Sequence, residues 1–314
     1  MLNNTSANMR LTFESKYILQ EQHTASVLKN SGVLRMFTME EAGSMRNFAG
    51  IDTPTADFTA LTSKNQANLT YNALSFNNRR LDWSTYGLNF AVDKEIDIVK
   101  AVADPTSDLI QKLIYPKIYE LWDRQGFAAA VGPVVTGAPN TAGTSTTAAN
   151  DGVKTVTATA GITEALLRKI TQIWINNKYS PEKIRNDAVG FITGSENTAF
   201  MGLEKLTNRL WTECTDENKN VVMKLFDTIT MKVVYGSDAD TTYTKPLIPE
   251  ASGVRSCPFI MKGGVAGVIG DLEIWVNRNP ETFQNSQLIK VNVPCGFMRT
   301  RGTDVIILST TVEA

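Results

Sequence analysis

The sequence predicts a mixed α+β protein. Three observations carry the prediction: an amphipathic helical stripe reaching Trp122, a middle region where helical and alternating patterns succeed one another, and a C-terminal stretch of short strands between Gly, Pro and Asn turns. At 314 residues the chain has room for one elongated mixed domain or about two ordinary ones, on a prior of ~150 residues each.

Residues 1–35 carry one helical patch, Phe13 to Leu28, with Tyr17, Ile18 and Leu28 in its thin apolar content. Such a segment reads as an arm lying on a partner's surface. From Arg46 to Tyr86 the chain turns polar, with extended runs at Thr59–Thr62 and Asn68–Phe76 about a turn at Ser63-Lys64-Asn65-Gln66, which predicts a long hairpin. Its apolar residues Leu61, Leu69, Tyr71, Leu74 and Phe76 are too sparse for a core, and isolated hairpins are marginal in water. A neighbouring subunit is the simplest cover, so these five residues, with Lys64 at the tip, are the expected inter-subunit contacts.

Ala91 to Ala130 reads as one long helical segment. Asp104 suits an N-cap, Pro105 the first helical position, and Ser107 and Asp108 the positive end of the helix dipole. Ile110, Leu113, Ile114, Ile118, Leu121 and Trp122 recur at three- and four-residue spacing as the packing stripe, leaving Lys112, Lys117, Glu120 and Asp123 to face away. Pro116 inside the stripe predicts a kink over Lys112–Pro116.

Val131–Thr159, rich in Gly, Pro, Thr and Ala without periodicity, reads as a surface loop. A second helix spans Thr163–Asn177 with Ile162, Leu166, Ile170, Ile173 and Trp174 on one face; Ser180-Pro181 opens a turn. Val189–Thr193 reads as a buried strand, and Ser195 as the cap of a helix to about Trp211 that presents Phe200, Leu203, Leu206 and Leu210. Alternation over Thr228–Tyr235 predicts a strand with Ile229, Met231, Val233 and Tyr235 on one face. Phe259–Met261, Val265–Ile269, Leu272–Val276, Gln287–Val293 and Val305–Leu308 complete the strands.

Composition excludes several chemistries. With 31 basic against 32 acidic residues and no basic run, a nucleic-acid-reading face is disfavoured. No apolar stretch approaches the roughly 18 residues of a membrane span, and the N-terminus lacks a secretion signal. Cys214, Cys257 and Cys295 form no CxxC pair, so neither a disulfide framework nor a zinc site is expected. The one histidine, His23, lies in a polar stretch between Gln22 and Thr24, which argues against a histidine-based catalyst. Gly263–Gly270 lacks a P-loop ending and reads as a glycine-eased strand. Asp93, Glu95 and Asp97 do not have calcium-loop spacing, and Cys214, in the polar turn Glu213–Glu217, has no activating base. No catalytic, cofactor-binding or metal-ligating residues are expected.

The order of parts resembles the major capsid protein of tailed bacteriophages: an arm, a long hairpin without a core, a spine helix introduced by Asp-Pro, a mixed region, and terminal strands. The segments LNFAVDKEIDIVKAVADPTSDLIQKLIYPKIYELWDRQGFAAAVG, Ala165–Ile173, SPEKIRNDAVGFITGSENTAFM and KLFDTITMKVVYGSDA look like that family's spine and the elements after it. The resemblance runs over about Thr53–Ile307 and is one of pattern and order. It implies an N-terminal arm (1–46), an extended hairpin loop (47–86), a peripheral domain with the spine helix (87–160 and 277–314) and an axial domain (161–276). It also implies a non-enzymatic subunit that assembles with itself, as hexameric and pentameric capsomers, into an icosahedral shell enclosing double-stranded DNA. Portal and scaffolding proteins, a decoration protein and non-specific contact with the packaged DNA would be its partners, without a membrane, and the virion its location after synthesis in the host cytoplasm. The alternatives are an encapsulin-like nanocompartment shell, another virion structural protein, and a small-molecule binder or enzyme using Gly263–Gly270.

Overall fold

The structure is a computed structural model that describes residues 25–37, 45–51, 76–93, 114–136, 143–158, 162–201, 211–215, 221–225, 229–236, 246–278 and 286–311. In chain order these form α1 (Val27–Asn30), β1 (Leu34–Phe37), β2 (Met45–Ile51), β3 (Phe76–Asp82), β4 (Ser84–Asp93), α2 (Tyr115–Val131), β5 (Val134–Thr136), β6 (Thr144–Thr146) and β7 (Lys154–Ala158). Next come α3 (Glu164–Asn176), α4 (Pro181–Asp187), β8 (Ala188–Ile192), α5 (Gly194–Met201), β9 (Trp211–Thr215), β10 (Val221–Leu225) and β11 (Ile229–Val233). The remainder is strand: β12 (Glu250–Ala251), β13 (Val254–Met261), β14 (Val265–Ile269), β15 (Glu273–Arg278), β16 (Ser286–Arg299) and β17 (Val305–Thr311). The α+β class is as the sequence predicts.

Three sheets organise the described residues. The largest runs β7-β17-β13-β8-β11-β10-β9, with β12 on β13. Its centre is fully apolar: every residue of β8 is buried, which suits a strand covered on both faces. The second runs β1-β14-β16-β15, with β4 on the other side of β16. The third, β2-β3-β5-β6, contains an antiparallel pair in which Ile51 faces Phe76 and Met45 faces Asp82.

Helix α2 links two of the three hydrophobic clusters among the described residues. Its first half places Ile114 and Ile118 against Ile289, Val291 and Val293 of β16, with Leu121 and Trp122 packed alongside. Its second half places Phe127 and Ala130 in the main core, where Phe127 meets Phe191 edge to face at 4.9 Å. Trp174 of α3 and Phe200 of α5 are fully buried in the same core. No helix among the described residues is long and apolar enough to cross a membrane.

Several sequence expectations need correction. Ala91–Asp93 belong to β4 and pair with β16, so the stretch from Ala91 is not one continuous helix. Helix α2 as described starts at Tyr115 with Pro116 in its first turn, where a missing N–H costs nothing. Glu120 and Asp123 do not face away; they are 6% and 0% exposed, because polar partners meet them inside. Val131–Thr159 is not a plain loop, since it contains β5, β6 and β7, and β7 pairs in parallel with β17.

Ser180-Pro181 opens a helix rather than a turn: the Ser180 hydroxyl accepts from the Lys183 N–H and Pro181 takes the first position of α4. Thr193 precedes α5 and Ser195 lies inside it, while Trp211 and the Glu213–Thr215 stretch read as a turn are strand β9. In β11 the expected face is buried at Ile229 and Met231 but not at Val233, the last residue of the strand, which is 48% exposed; the next residue, Val234, is buried and its N–H donates to the Ile192 carbonyl.

The helical patch expected over Phe13–Leu28 does not run through Ser26, whose extended backbone caps the separate helix α1. Residues 25–37 are part of the folded body, with Leu28 and Val33 in the core and β1 on β14. β17 joins the sheet of β8 and β13, whereas β14 and β15 join β4 and β16.

Candidate assembly surface and its anchors

Of the expected inter-subunit contacts, Leu61, Lys64, Leu69, Tyr71 and Leu74 lie outside the described residues, and Phe76 is the first residue of β3. Of the helix stripe, Ile110 and Leu113 lie outside the described residues. Ile114 and Ile118 are buried, and Leu121 and Trp122 are partly buried against the same cluster. Tyr119 stands edge-on to Trp122 at 5.5 Å, and the Lys29 ammonium lies 5.5 Å from the Trp122 ring centroid.

The sequence reading missed the residues that fix the hairpin to the body. From β3, the Arg79 guanidinium donates twice to Asp151, at 2.5 and 2.9 Å, and once to the Arg299 carbonyl at 3.0 Å. Arg299 of β16 donates from Nε to Asp151 at 2.7 Å and from Nη1 to the carbonyls of Ala130 and Gly132 at 2.8 and 2.9 Å. All three side chains are nearly solvent-free, so two cations share one carboxylate and the negative end of α2 supplies the rest of the compensation. Burial pulls the Arg299 guanidinium below its usual pKa despite Asp151. The network ties β3, the Thr147–Gly152 turn, β16 and the end of α2 into one unit.

A second network anchors α5. Arg255 of β13 donates to Glu250 at 2.6 Å, to Thr193 and Ser195 at 2.6 Å each, and to both oxygens of Glu196 at 2.9 and 3.0 Å. Thr310 of β17 also donates to Glu196 at 2.8 Å, and the Thr193 hydroxyl and N–H both donate to the same carboxylate. A third anchor is Asp123, whose carboxylate accepts from the Ser26 hydroxyl at 2.5 Å and from the N–H groups of Val27 and Leu28 at 2.8 and 3.0 Å. These partners are too far apart in sequence for spacing rules to find them; Ser26-Val27-Leu28 as a cap, and Asp-Gly at 151–152 as a turn, were the only local signals.

The candidate contact surface is the face of the β4–β16–β15 sheet opposite α2. Strand alternation puts Leu88, Val291 and Ile274 toward the helix, and Asn89, Lys290 and Trp275 on the other face. Trp275 is 53% exposed there, with the Lys290 ammonium 5.4 Å from its ring centroid. Neither free thiol in the described structure offers chemistry: Cys257 and Cys295 are buried, and burial raises the Cys295 pKa to about 12. Among the described residues no group of His, Cys, Asp and Glu is arranged to hold a metal ion.

No family model matches the sequence, and no curated protein matches it. Solved structures do match it. The capsid of Ralstonia phage GP4 superposes with a TM-score of 0.63 at 11% identity, covering 93% of this chain and 92% of that one. The capsid of cyanophage P-SCSP1u gives 0.58 at 12% identity over 93% and 90%. The capsid of a native GTA particle gives 0.56 at 12% identity over 93% and 91%. At such identities the likeness is one of fold, and it extends over nearly the whole of both chains.

Proposed function

We propose, from the capsid-subunit fold that this chain shares with phage particles, that it is a structural subunit that assembles with itself into the closed shell of a tailed-phage particle. The observation that carries the reading is the extent of the match: it covers 93% of this chain and 92% of the Ralstonia phage capsid protein, leaving little room for a separate catalytic domain. The anchored hairpin base, and an open sheet face carrying an exposed tryptophan, suit a subunit completed by neighbours. On this reading the role is structural rather than catalytic, and the location is the virion after synthesis in the host cytoplasm. The partners are further copies in rings of five and six, portal and scaffolding proteins, a decoration protein, and packaged double-stranded DNA touched without sequence preference. The hairpin residues Leu61, Lys64, Leu69, Tyr71, Leu74 and Phe76 would lie on neighbouring copies, and 1–46, 47–86, 87–160 with 277–314, and 161–276 are the proposed arm, loop, peripheral and axial parts.

The test is negative-stain microscopy with light scattering on the full chain expressed alone and with a co-expressed scaffolding protein. Closed shells, or rings of five and six, support the reading; a monomer under both conditions overturns it. The cargo of purified particles then separates a genome container from a protein-filled nanocompartment.

A further inference from the structure

A cleft of about 430 Å³ runs between the first half of α2 and strands β4 and β16, within the ~300–1,000 Å³ usual for small-molecule sites. Its floor is hydrocarbon: Ile118 and Leu121 of α2, Val291 and Val293 of β16, and Leu88 of β4, which is still 38% exposed. Such a floor is a poor site for water, which makes about three hydrogen bonds where it is held inside a protein. Three charged side chains stand on the helix side of the cleft, Lys117, Glu120 and Arg124. The Lys117 ammonium donates to both Glu120 oxygens, at 2.8 and 3.1 Å, so this pair cancels. Arg124 is half-buried, and its Nε is enclosed without a hydrogen-bond partner among the described residues. The cleft therefore carries one net positive charge, placed about 10 Å along the helix axis from Lys117.

These features select a ligand that is apolar along most of its length and singly negative at one end. A buried charged donor without an acceptor is unfavourable, and a carboxylate corrects it best, accepting from Nε and a terminal N–H of one guanidinium in parallel. A diphosphate would bring more negative charge than Arg124 alone can meet, and a cation would meet net repulsion. A peptide helix, ~10–12 Å across, would need roughly twice this volume over the same length.

We propose that this cleft binds an aliphatic monocarboxylate of medium chain length, with the carboxylate on Arg124 and the chain along Ile118, Leu121, Val291 and Leu88. The chain covers the exposed part of Leu88, and the carboxylate supplies the acceptor that Arg124 lacks. The inference does not depend on shell assembly and is tested on the unassembled full chain. Isothermal titration calorimetry with sodium decanoate, below its micellar range, is expected to show one saturable site per chain. Affinity should rise several-fold from hexanoate to octanoate and again to decanoate, as methylene groups leave water. Decan-1-ol, which has the chain without the charge, should bind about tenfold more weakly or worse, and Arg124→Gln should weaken decanoate by a similar factor without moving the denaturation midpoint. Should Arg124→Gln misfold, Leu88→Glu, at a partly exposed position on the opposite wall, is expected to abolish decanoate binding. No saturable site, equal binding of decan-1-ol, or an affinity unchanged in the folded variant overturns the proposal. Hydrogen-exchange protection of the Leu88 and Arg124 amides that arises only in assembled particles, with no decanoate site in the free chain, would assign the cleft to a neighbouring copy and overturns it equally.

Discussion

Ser26 and Asp123, 97 residues apart in sequence, meet through a 2.5 Å hydrogen bond, and the same carboxylate holds the first N–H groups of α1. A buried acid thus caps a helix it does not belong to. Asp123→Ala leaves these donors unmet, at about 1–3 kcal/mol for each buried group that finds no water. The expected loss is about 2–4 kcal/mol in denaturant unfolding, with the amides of β1 exchanging faster before global unfolding. Unaltered protection of Leu34–Phe37 would remove Asp123 as the anchor.

The network at the base of the hairpin gives a ranking. Asp151→Asn leaves two buried guanidiniums without a countercharge, whereas Arg79→Met removes one cation and leaves the Arg299–Asp151 pair intact at 2.7 Å. Breaking such a buried arrangement costs roughly 3–5 kcal/mol. Asp151→Asn should therefore fall in that range and Arg79→Met clearly below it by equilibrium unfolding; the reverse order would contradict the described geometry.

Gly302 sits where a side chain does not fit. A Cβ there would lie 1.9 Å from the Asp151 carbonyl oxygen, which belongs to backbone and cannot swing aside. Gly302→Ala should lower the melting temperature by displacing the Asp151 turn. Gly87→Ala, whose Cβ would find its nearest neighbour at 3.8 Å, should be nearly neutral and serves as the control.

A buried carboxyl, Glu196, and a half-buried one, Asp304, give opposite pH limbs. Burial pushes Glu196 up, but hydrogen bonds from Thr193 and Thr310 and the charge of Arg255 outweigh it and leave its pKa below the ordinary value. Its stabilisation is therefore full above the unfolded value of ~4.3 and lost as pH falls through the folded one. Asp304 is raised, chiefly by burial and against the hydrogen bond from Tyr179. Its contribution is full below ~3.9 and is lost as pH rises through its folded value. Melting curves from pH 3 to 7 should show a shallower acid fall for Glu196→Gln and a shallower loss above pH 4 for Asp304→Asn. An unchanged acid limb in the first variant would exclude Glu196 as its source.

Trp275 separates stability from association. With 53% of its surface exposed, Trp275→Ala should change monomer stability by only about 0.5 kcal/mol, as surface substitutions do. If the open sheet face receives a neighbour, loss of a central aromatic should raise the concentration needed for assembly about tenfold or more, read by light scattering.

The fold was legible where periodicity was local. Thr163 capping α3, the buried run of β8 and the strands β13 to β17 all follow from neighbours within a few residues. What escaped was set by distant partners. Asp123 and Glu120 sit in an amphipathic stripe and read as outward, yet Ser26 and Lys117 make their burial tolerable. Asp151 sits in a Thr/Ala-rich tract, and its significance comes only from Arg79 and Arg299, 72 and 148 residues away. The β11 reading held at Ile229 and Met231 and failed at Val233, which is paired with Ile192 at the end of the strand yet left 48% exposed. The hairpin's apolar residues, being too few to pack on themselves, carried the assembly reading without any contact to inspect.

Strand β16 is in register with β4 along Ser286–Cys295, with β15 along Gln287–Asn292 and with β14 along Cys295–Arg299. A slip of one residue against any of these would turn Val291 and Val293 outward and Lys290 and Asn292 inward. Relative travel of the parts joined by this strand is thereby restricted to flexing and twisting, because sliding is closed off. Whatever curvature such a chain adopts beside its copies has to be taken up as bend along one continuous fourteen-residue beam or at the connections between ladders.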